Sequence, residues 1–115
     1  MVPIAFKTGE VAERTGASLR QLQLWDEAGL VKAAFSVHSR YYSASLIQRV
    51  RIVKRLKACH LSTARIKAAL AGLVLHHDSR FVLYPRGQRV QVFRSADEVL
   101  PACEQAARGF ILVEL

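Results

Sequence analysis

The sequence has few cysteines, no long apolar run and no sign of a secretory leader. Its two cysteines, Cys59 and Cys103, stand far apart, which excludes a disulfide framework and the paired spacing of a zinc site. No apolar run approaches the roughly 20 residues that a membrane span needs. The N-terminus lacks a basic region followed by an apolar stretch and a small-residue cleavage site. These features predict a cytoplasmic protein with no membrane contact, in which both thiols are reduced.

Signatures of catalysis and of metal binding are also scarce. The chain has no glycine-rich phosphate loop after a strand, no nucleophile elbow and no paired carboxylates, so we predict neither enzymatic activity nor a cofactor. His76, His77 and Asp78 raise a metal hypothesis, because these residue types are common ligands. Neighbours in an extended chain point in opposite directions, however. We therefore favour a solvated linker and predict no metal.

Positive charge, by contrast, is abundant and unevenly placed. The net charge is +8, and residues 1–72 hold twelve Lys and Arg against four Asp and Glu, whereas residues 73–115 hold five of each sign. A positive field confined to one segment favours a polyanion such as nucleic acid as the partner of that segment. A basic surface that only aids solubility is the alternative that composition leaves open.

The basic segment is predicted to begin with two short helices and a hairpin. Ser and Thr at the helix starts, and Gly at the ends, indicate helices over 8–15 and 18–29, with Gly16 in the turn between them. Residues 31–42 are β-prone at both ends and polar in the middle, which predicts two short strands.

Two further helices are predicted after the hairpin. The first, over 43–59, has an apolar stripe at helical spacing that we assign to the core, while its Arg and Lys side chains are solvated or face a partner. The second spans 62–72, with Leu61 and Ile66 placed as a hydrophobic staple. The stripe of the first helix consists of Leu46, Val50, Val53 and Leu56.

Residues 80–115 change from helical to strand periodicity. The segments RFVLY and RVQVF flank PRGQ and predict an antiparallel hairpin. SADE at 95–98 is a capping box for a helix that runs through Ala107 and is closed by Gly109. The unbroken apolar run 110–113 predicts a strand buried on both faces, either central in its sheet or paired with another subunit.

The spacing within residues 8–26 is the most specific motif. A small residue at Ala12, a glycine four residues later, and apolar side chains at Leu19, Leu22 and Trp25 are what a helix-turn-helix requires. With the hairpin and helices that follow, FKTGEVAERTGASLRQLQLWDEAGL and SRYYSASLIQRVRIVKRLKACHLSTARIKAAL resemble the winged-helix DNA-binding domain of MerR-family transcription regulators. The resemblance covers about residues 5–71.

We therefore predict an α+β fold with two parts. A winged helix-turn-helix of four helices and a short β-wing occupies residues 1–72, and a small ββαβ unit at 80–115 follows a linker at 73–79. The resemblance implies a sequence-specific regulator of transcription that binds double-stranded DNA, with helix 18–28 in the major groove and wing 31–42 on the backbone. It also makes RNA polymerase a candidate partner.

Several side chains are candidates for DNA contact. The resemblance implies a DNA contact for Arg20, and phosphate contacts for Arg40 and for Tyr41 or Tyr42. Helical geometry, at about 100° per residue, independently places Leu19 and Leu22 inward and Arg20, Gln21 and Leu24 outward. Arg suits guanine, Gln suits adenine, and an exposed Leu suits a thymine methyl. The full candidate set is Ser18, Arg20, Gln21, Gln23, Leu24, Arg40, Tyr41 and Tyr42.

Simpler interpretations of these residues remain, and the chain also departs from the family pattern. The Arg and Gln face could be only solvated, and the tyrosines could pack in the core. QLWD stands where the family commonly has Arg-Tyr-Tyr/Trp-Glu, and HSR stands where its wing has GYR. We expect the DNA preference, or an unusual partner, to be encoded at Gln23 and Leu24.

The C-terminal part lacks the long helix by which such regulators pair, since no heptad tract is present. Readers of palindromic sites generally dimerise, so we predict a homodimer through residues 80–115, with FILVEL as the leading contact. The alternative is a subdomain folded back on its own helices.

Two rival functions use the same fold. One is an architectural or excisionase-like protein that bends DNA without recruiting polymerase. The other is a protein-interaction adaptor in which exposed Leu24 and Trp25 anchor a partner.

Overall fold

The described part of the chain forms five helices that alternate with two small sheets, which confirms the predicted mixed helix and sheet class. The computed structural model describes residues 5–36, 38–76, 78–86, 89–106 and 109–115. The elements in chain order are β1 (Ala5–Lys7), α1 (Thr8–Thr15), α2 (Leu19–Glu27), β2 (Ala34–Ser36), β3 (Ser39–Ser43), α3 (Ala44–Ala58), α4 (Thr63–Leu70), β4 (Phe81–Pro85), β5 (Gln91–Phe93), α5 (Ala96–Gln105) and β6 (Phe110–Glu114).

The first sheet contains a strand that the sequence did not reveal. Its order is β1-β3-β2, all antiparallel, with Phe6 opposite Tyr42 and Phe35 opposite Arg40. The hairpin is also shorter than the predicted 31–42 because Val31 is buried after α2, where its N–H donates to the Trp25 carbonyl. The hairpin is therefore held to the body of the protein through β1.

The turn between α1 and α2 is formed by Gly16. Its φ of 75° is left-handed, and its N–H donates to the carbonyl of Ala12, as is usual where a glycine ends a helix. The Lys54 ammonium of α3 donates to the Thr15 carbonyl at 3.1 Å, placing positive charge at the carbonyl end of α1. Helix α3 thus helps to fix the angle at which α1 and α2 cross.

The orientation of α2 differs in one respect from the prediction. Leu22 and Trp25 are buried, but Leu19, expected to point inward, is 59% exposed. At about 100° per residue Leu19 lies about 120° from Trp25, well off the direction that the core fixes. Leu19 is the first residue of α2 and belongs to the rim of its outward face.

Helix α3 is the centre of the core. Val50, Val53 and Leu56 are buried as predicted, and Ile47 and Ile52 are buried as well. The additional burial arises because α3 packs against α1, α4, β3 and β6. A helix covered on several sides needs more than one apolar stripe.

The second sheet has the order β5-β4-β6, with both neighbours antiparallel to β4. Of the two alternatives for strand 110–113, the central position was therefore wrong, because β4 takes that position, and pairing with another subunit stays a prediction. Val82 and Val113 belong to the same hydrophobic cluster as the N-terminal helices, while α5 packs against β4 and β5. Helix α3 covers one face of the sheet and α5 covers β4 and β5 on the other, but Phe110 of β6 is 45% exposed. Of the run 110–113 only Val113 is buried, so the predicted burial on both faces was wrong.

The described residues 73–76 and 78–79 lie against the body of the protein. Leu73 and Leu75 pack on the hydrophobic cluster, and the Gln48 side chain donates to the Ser79 carbonyl at 3.3 Å. The ββαβ segment is folded back on α3, as in the alternative set out above. The domain boundaries at 72 and 80 stay a prediction, since one core spans both parts.

The metal hypothesis gains no support from the described residues. Within them no group of three or more His, Cys, Asp and Glu side chains could hold a metal ion. The Asp78 carboxylate instead accepts from the Arg94 guanidinium at 3.0 Å, and His77 lies outside the described residues. Cys59 and Cys103 are both free thiols. Across the described ranges no helix is long and apolar enough to cross a membrane.

We expect Gly16→Ala to lower the free energy of unfolding by about 1–2 kcal/mol. An alanine would be strained at the positive φ, and its Cβ would lie 2.6 Å from the Lys54 ammonium nitrogen. Gly9→Ala is the matched control, because Gly9 lies in α1 with nothing within 4 Å of the added carbon, so stability should hold or rise. Urea unfolding measures both variants, and a Gly16→Ala protein as stable as Gly9→Ala would contradict this account of the turn.

Candidate nucleic-acid interface

The outward face of α2 presents a cation and an apolar side chain to solvent, with exposed Leu19 at its rim. Arg20 is exposed, and Leu24 is 47% exposed. Gln23 and Glu27 lie on the same side of the helix, and the Gln23 amide donates a hydrogen bond to the Glu27 carboxylate at 3.2 Å. The buried side of the helix fixes this orientation through Leu22. The face offers a guanidinium, a carboxylate and an apolar contact to whatever it meets.

Two of the candidate residues shape the start of α2. The Ser18 hydroxyl accepts from the Gln21 N–H at 3.0 Å, and the Gln21 side-chain oxygen accepts from the Ser18 N–H at 2.9 Å. This reciprocal pair is a capping box, which satisfies two N–H groups that the helix start leaves unpaired. A base contact by Gln21 would have to share its amide oxygen with this cap.

The hairpin is joined to α2 by an ion pair. The Arg40 Nε lies 2.7 Å from Asp26 Oδ2, with 31% of the Arg40 side chain and 15% of the Asp26 side chain exposed. The Arg40 guanidinium also lies over the Phe35 ring, 5.9 Å from its centroid. The pair sets the position of the hairpin relative to the helix and holds one guanidinium at their junction.

The two tyrosines of β3 have opposite environments. Tyr42 is completely buried, paired with Phe6 of β1, whereas Tyr41 is half-buried. Successive side chains of a strand point to opposite faces, so only one of the two reaches the surface. Tyr42 is therefore corrected from a candidate DNA contact to a core residue, and Tyr41 keeps the candidacy.

The buried Tyr42 hydroxyl is polar and unpaired. Within the described residues it has no hydrogen-bond partner. Burial raises the pKa of Tyr42 above its ordinary value, and the negative charge of Asp26 adds to this effect; the nearby Thr8 side chain, whose geometry falls short of a hydrogen bond, and the positive charge of Arg40 oppose it without reversing it. The phenol therefore stays neutral beneath the junction of hairpin and helix.

Other residues are placed differently from their predicted roles. Trp25, a suggested exposed anchor, is buried. Arg49 of α3, expected in solvent or at a partner, is half-buried and donates to the carbonyls of Leu30 and Leu70. Lys54 is exposed as expected and also donates to the Thr15 carbonyl, and Lys57 donates to the Thr63 hydroxyl. Part of the positive charge thus stabilises the fold.

Sequence reasoning missed three exposed residues near this surface. Phe35 is 66% exposed in the hairpin, and Leu19 lies at the rim of α2, where Glu27 is also exposed. The alternation of side chains along a strand could have indicated the exposure of Phe35, which pairs with Arg40. Glu27 falls one turn after Gln23 and Leu24 and shares their side of the helix.

We expect Tyr42→Phe to leave the free energy of unfolding unchanged or raise it, because removing an unpaired buried hydroxyl preserves shape and relieves its desolvation. DNA affinity should also be unchanged. Tyr41→Phe should keep stability but weaken binding to a duplex by about 0.5–1.5 kcal/mol, the value of one hydrogen bond. Urea unfolding and fluorescence anisotropy test both, and a larger loss of DNA affinity in Tyr42→Phe than in Tyr41→Phe would refute this assignment.

Comparison with known proteins addresses the same part of the chain. The model of the MerR HTH family of regulatory proteins matches residues 6–73, which contain α1 to α4 and the hairpin. No curated protein sequence matches the chain. The match covers more than half of the sequence and includes the helix pair, the Arg40 hairpin and α3. The chain therefore belongs to the MerR HTH family of regulatory proteins.

Proposed function

We propose that this protein regulates transcription by binding a specific duplex DNA site, with α2 in the major groove and the β2–β3 hairpin on the flanking backbone. The family is one of DNA-binding regulators. The observation that carries the finer proposal is the ion pair between Asp26 and Arg40. It joins the hairpin to α2 beside the face that exposes Arg20 and Leu24.

Each exposed group of α2 has a suitable partner in the groove. Arg20 would donate to the two acceptors of a guanine, and Leu24 would contact a thymine methyl. The Gln23 and Glu27 pair offers an amide donor for an acceptor on a base, or a carboxylate for the cytosine amine. Ser18 and Gln21 lie at the start of the helix, where the backbone N–H groups and the helix dipole favour a phosphate. Specificity would therefore come from the middle of α2.

The hairpin would supply the backbone contacts. Asp26 engages the Nε of Arg40, so the outer guanidinium nitrogens are the donors for a phosphate. Tyr41 adds a hydroxyl donor. Because Asp26 already holds the Arg40 guanidinium in place, the side chain loses less conformational entropy when DNA binds.

We further propose that two copies pair through residues 80–115. Strand β6 lies at the edge of its sheet, and Phe110 on it is 45% exposed. The Leu115 N–H donates to the Arg80 carbonyl, so in an antiparallel ladder the N–H groups of Leu112 and Glu114 point away from β4. An edge of this kind can pair with its copy across a two-fold axis.

The proposed regulator acts in the cytoplasm, with RNA polymerase as a second partner. DNA bending without polymerase is the architectural variant of the same surface. An adaptor function would rest on Leu19 and Leu24, which expose apolar area on α2. Trp25 could not contribute to it, because that side chain is buried. Substitutions of Arg20 and Leu24 separate these functions.

The test of groove binding compares two arginine variants that remove the same charge. A binding site is first selected from random duplexes with the unmodified protein. Arg20→Ala should lose about 1–3 kcal/mol on that site and relax the preference at one base pair. Arg80→Ala, an exposed arginine of the second sheet region, should change affinity little.

Affinity of the unmodified protein should also fall steeply with salt, since phosphate contacts release counterions. Equal losses in Arg20→Ala and Arg80→Ala would overturn the assignment of α2 to the groove. Retention of a protein partner by Arg20→Ala, together with its loss in Leu24→Ala, would favour the adaptor. A transcriptional readout from a promoter fusion separates regulation from bending alone.

The dimer proposal predicts the effect of a proline in β6. Glu114→Pro removes an outward N–H at an exposed position and should convert a dimer to a monomer at the same protein concentration, since proline cannot donate to a new ladder. Glu114→Ala should remain dimeric. Sedimentation measures the mass of each, and a monomeric unmodified protein would contradict the proposal.

A further inference from the structure

A cleft lies between α4 and the second sheet. One wall consists of α4 and the residues that follow it, including Leu73, and the other of Tyr84 and Val90. Arg65 and Arg89 stand at its sides. Its volume is about 720 Å³, within the range of about 300–1,000 Å³ of small-molecule sites.

The cleft continues toward the end of α3. A second cavity of about 430 Å³ is lined by His60, Ile111 and Arg86. It shares Arg65 and Tyr84 with the first cavity, so the two are adjoining parts of one cleft. The combined site reaches from the end of α3 to the start of β5.

The charge of the cleft is of one sign. Its three arginines come from separate parts of the fold: Arg65 from α4, Arg86 from the residue after β4, and Arg89 from the approach to β5. No Asp or Glu occurs among the described residues that line either cavity. Two of the three arginines belong to the segment 73–115, which as a whole is neutral, and the fold brings them to the same cleft as Arg65.

The remaining lining is apolar or aromatic. Leu73, Val90 and Ile111 all pack partly on the hydrophobic core, and each leaves part of its surface toward the cleft. Tyr84 stands where the two cavities meet and carries both a ring and a hydroxyl. Guanidinium groups bind carboxylates, phosphates and sulfonates through paired N–H donors, while the apolar wall suits a hydrocarbon or aromatic body.

We propose that this cleft is the binding site of a small organic anion with an aromatic or aliphatic body. Arg65 and Arg86 bind its acidic group, Arg89 adds a donor at the other end, and Tyr84 packs against the body. The site is separate from the outward face of α2, so it does not depend on the proposed groove contacts.

The test uses anilinonaphthalene sulfonate, an aromatic anion that fluoresces when it leaves water. The unmodified protein should bind it with saturation, and inorganic phosphate should compete. Arg65→Ala and Arg86→Ala should each weaken its binding about five- to tenfold, the value of one charged hydrogen bond at a partly exposed site. Phenylnaphthylamine, the neutral analogue, should bind the unmodified protein and these variants equally.

Arg80→Ala is the matched control, because Arg80 is exposed at the opposite end of β4 from Arg86. Its affinity for the sulfonate should match that of the unmodified protein. Thermal unfolding confirms that all three variants are folded. Equal sulfonate affinity in every variant would overturn the proposal, because it would show that no arginine contacts the ligand. A loss in Arg80→Ala equal to that in the cleft variants would also overturn it, because it would show only a general attraction to positive charge.

Discussion

The Arg49 guanidinium joins the ends of two helical segments to α3. Its Nε donates to the Leu30 carbonyl at 2.7 Å and an Nη donates to the Leu70 carbonyl at 3.4 Å. Leu30 follows the end of α2, and Leu70 is the last residue of α4. Unpaired carbonyls at the end of a helix carry partial negative charge. Burial lowers the pKa of Arg49, but an arginine still keeps its charge. One cation on the central helix thereby connects the exit of α2 and the last residue of α4 to α3.

The orientation of α2 follows from contacts of this kind. Lys54 holds the end of α1, Arg49 holds the exit of α2, and Asp26 connects its last turn to the hairpin through Arg40. The contacts of Arg49 and Asp26 act on α2 itself and that of Lys54 acts on the neighbouring α1, so α2 has little freedom to turn about its axis. The Cα–Cβ bond of an arginine on its outward side therefore has a defined direction before any ligand is present.

Local sequence patterns predicted most of the helices and the second hairpin, because capping residues and periodicity act over a few positions. Val50, Val53 and Leu56 are buried for the reason their spacing indicated. Patterns could not separate Tyr41 from Tyr42, since that choice depends on the register with β1, a strand of three residues. They also misplaced Leu19, because the direction of the core relative to α2 is set by α3 and not by α2 itself.

The same limit applies to the second sheet and to the basic residues. The apolar run of β6 indicated a strand buried on both faces, but only Val113 of it is buried, and strand order depends on how the chain crosses over α5. Arg49 looked like surface charge because its acceptors are backbone carbonyls far away in the sequence, whereas Lys54 is exposed as its pattern indicated and still donates to the Thr15 carbonyl. Of the candidate DNA contacts, Arg20 and Leu24 are exposed as expected, while Ser18 and Gln21 also form the helix cap.

The packing of β6 on α3 has a consequence for how the protein is made. Val113 covers a helix that the ribosome synthesises much earlier, so a nascent chain ending before β6 exposes an apolar side of α3 and an unpaired edge of β4. Contacts between segments distant in sequence form slowly, and such exposed surfaces favour aggregation while they last. The helix pair can form early, but its supporting core closes only when the strand beyond Gly109 has been added.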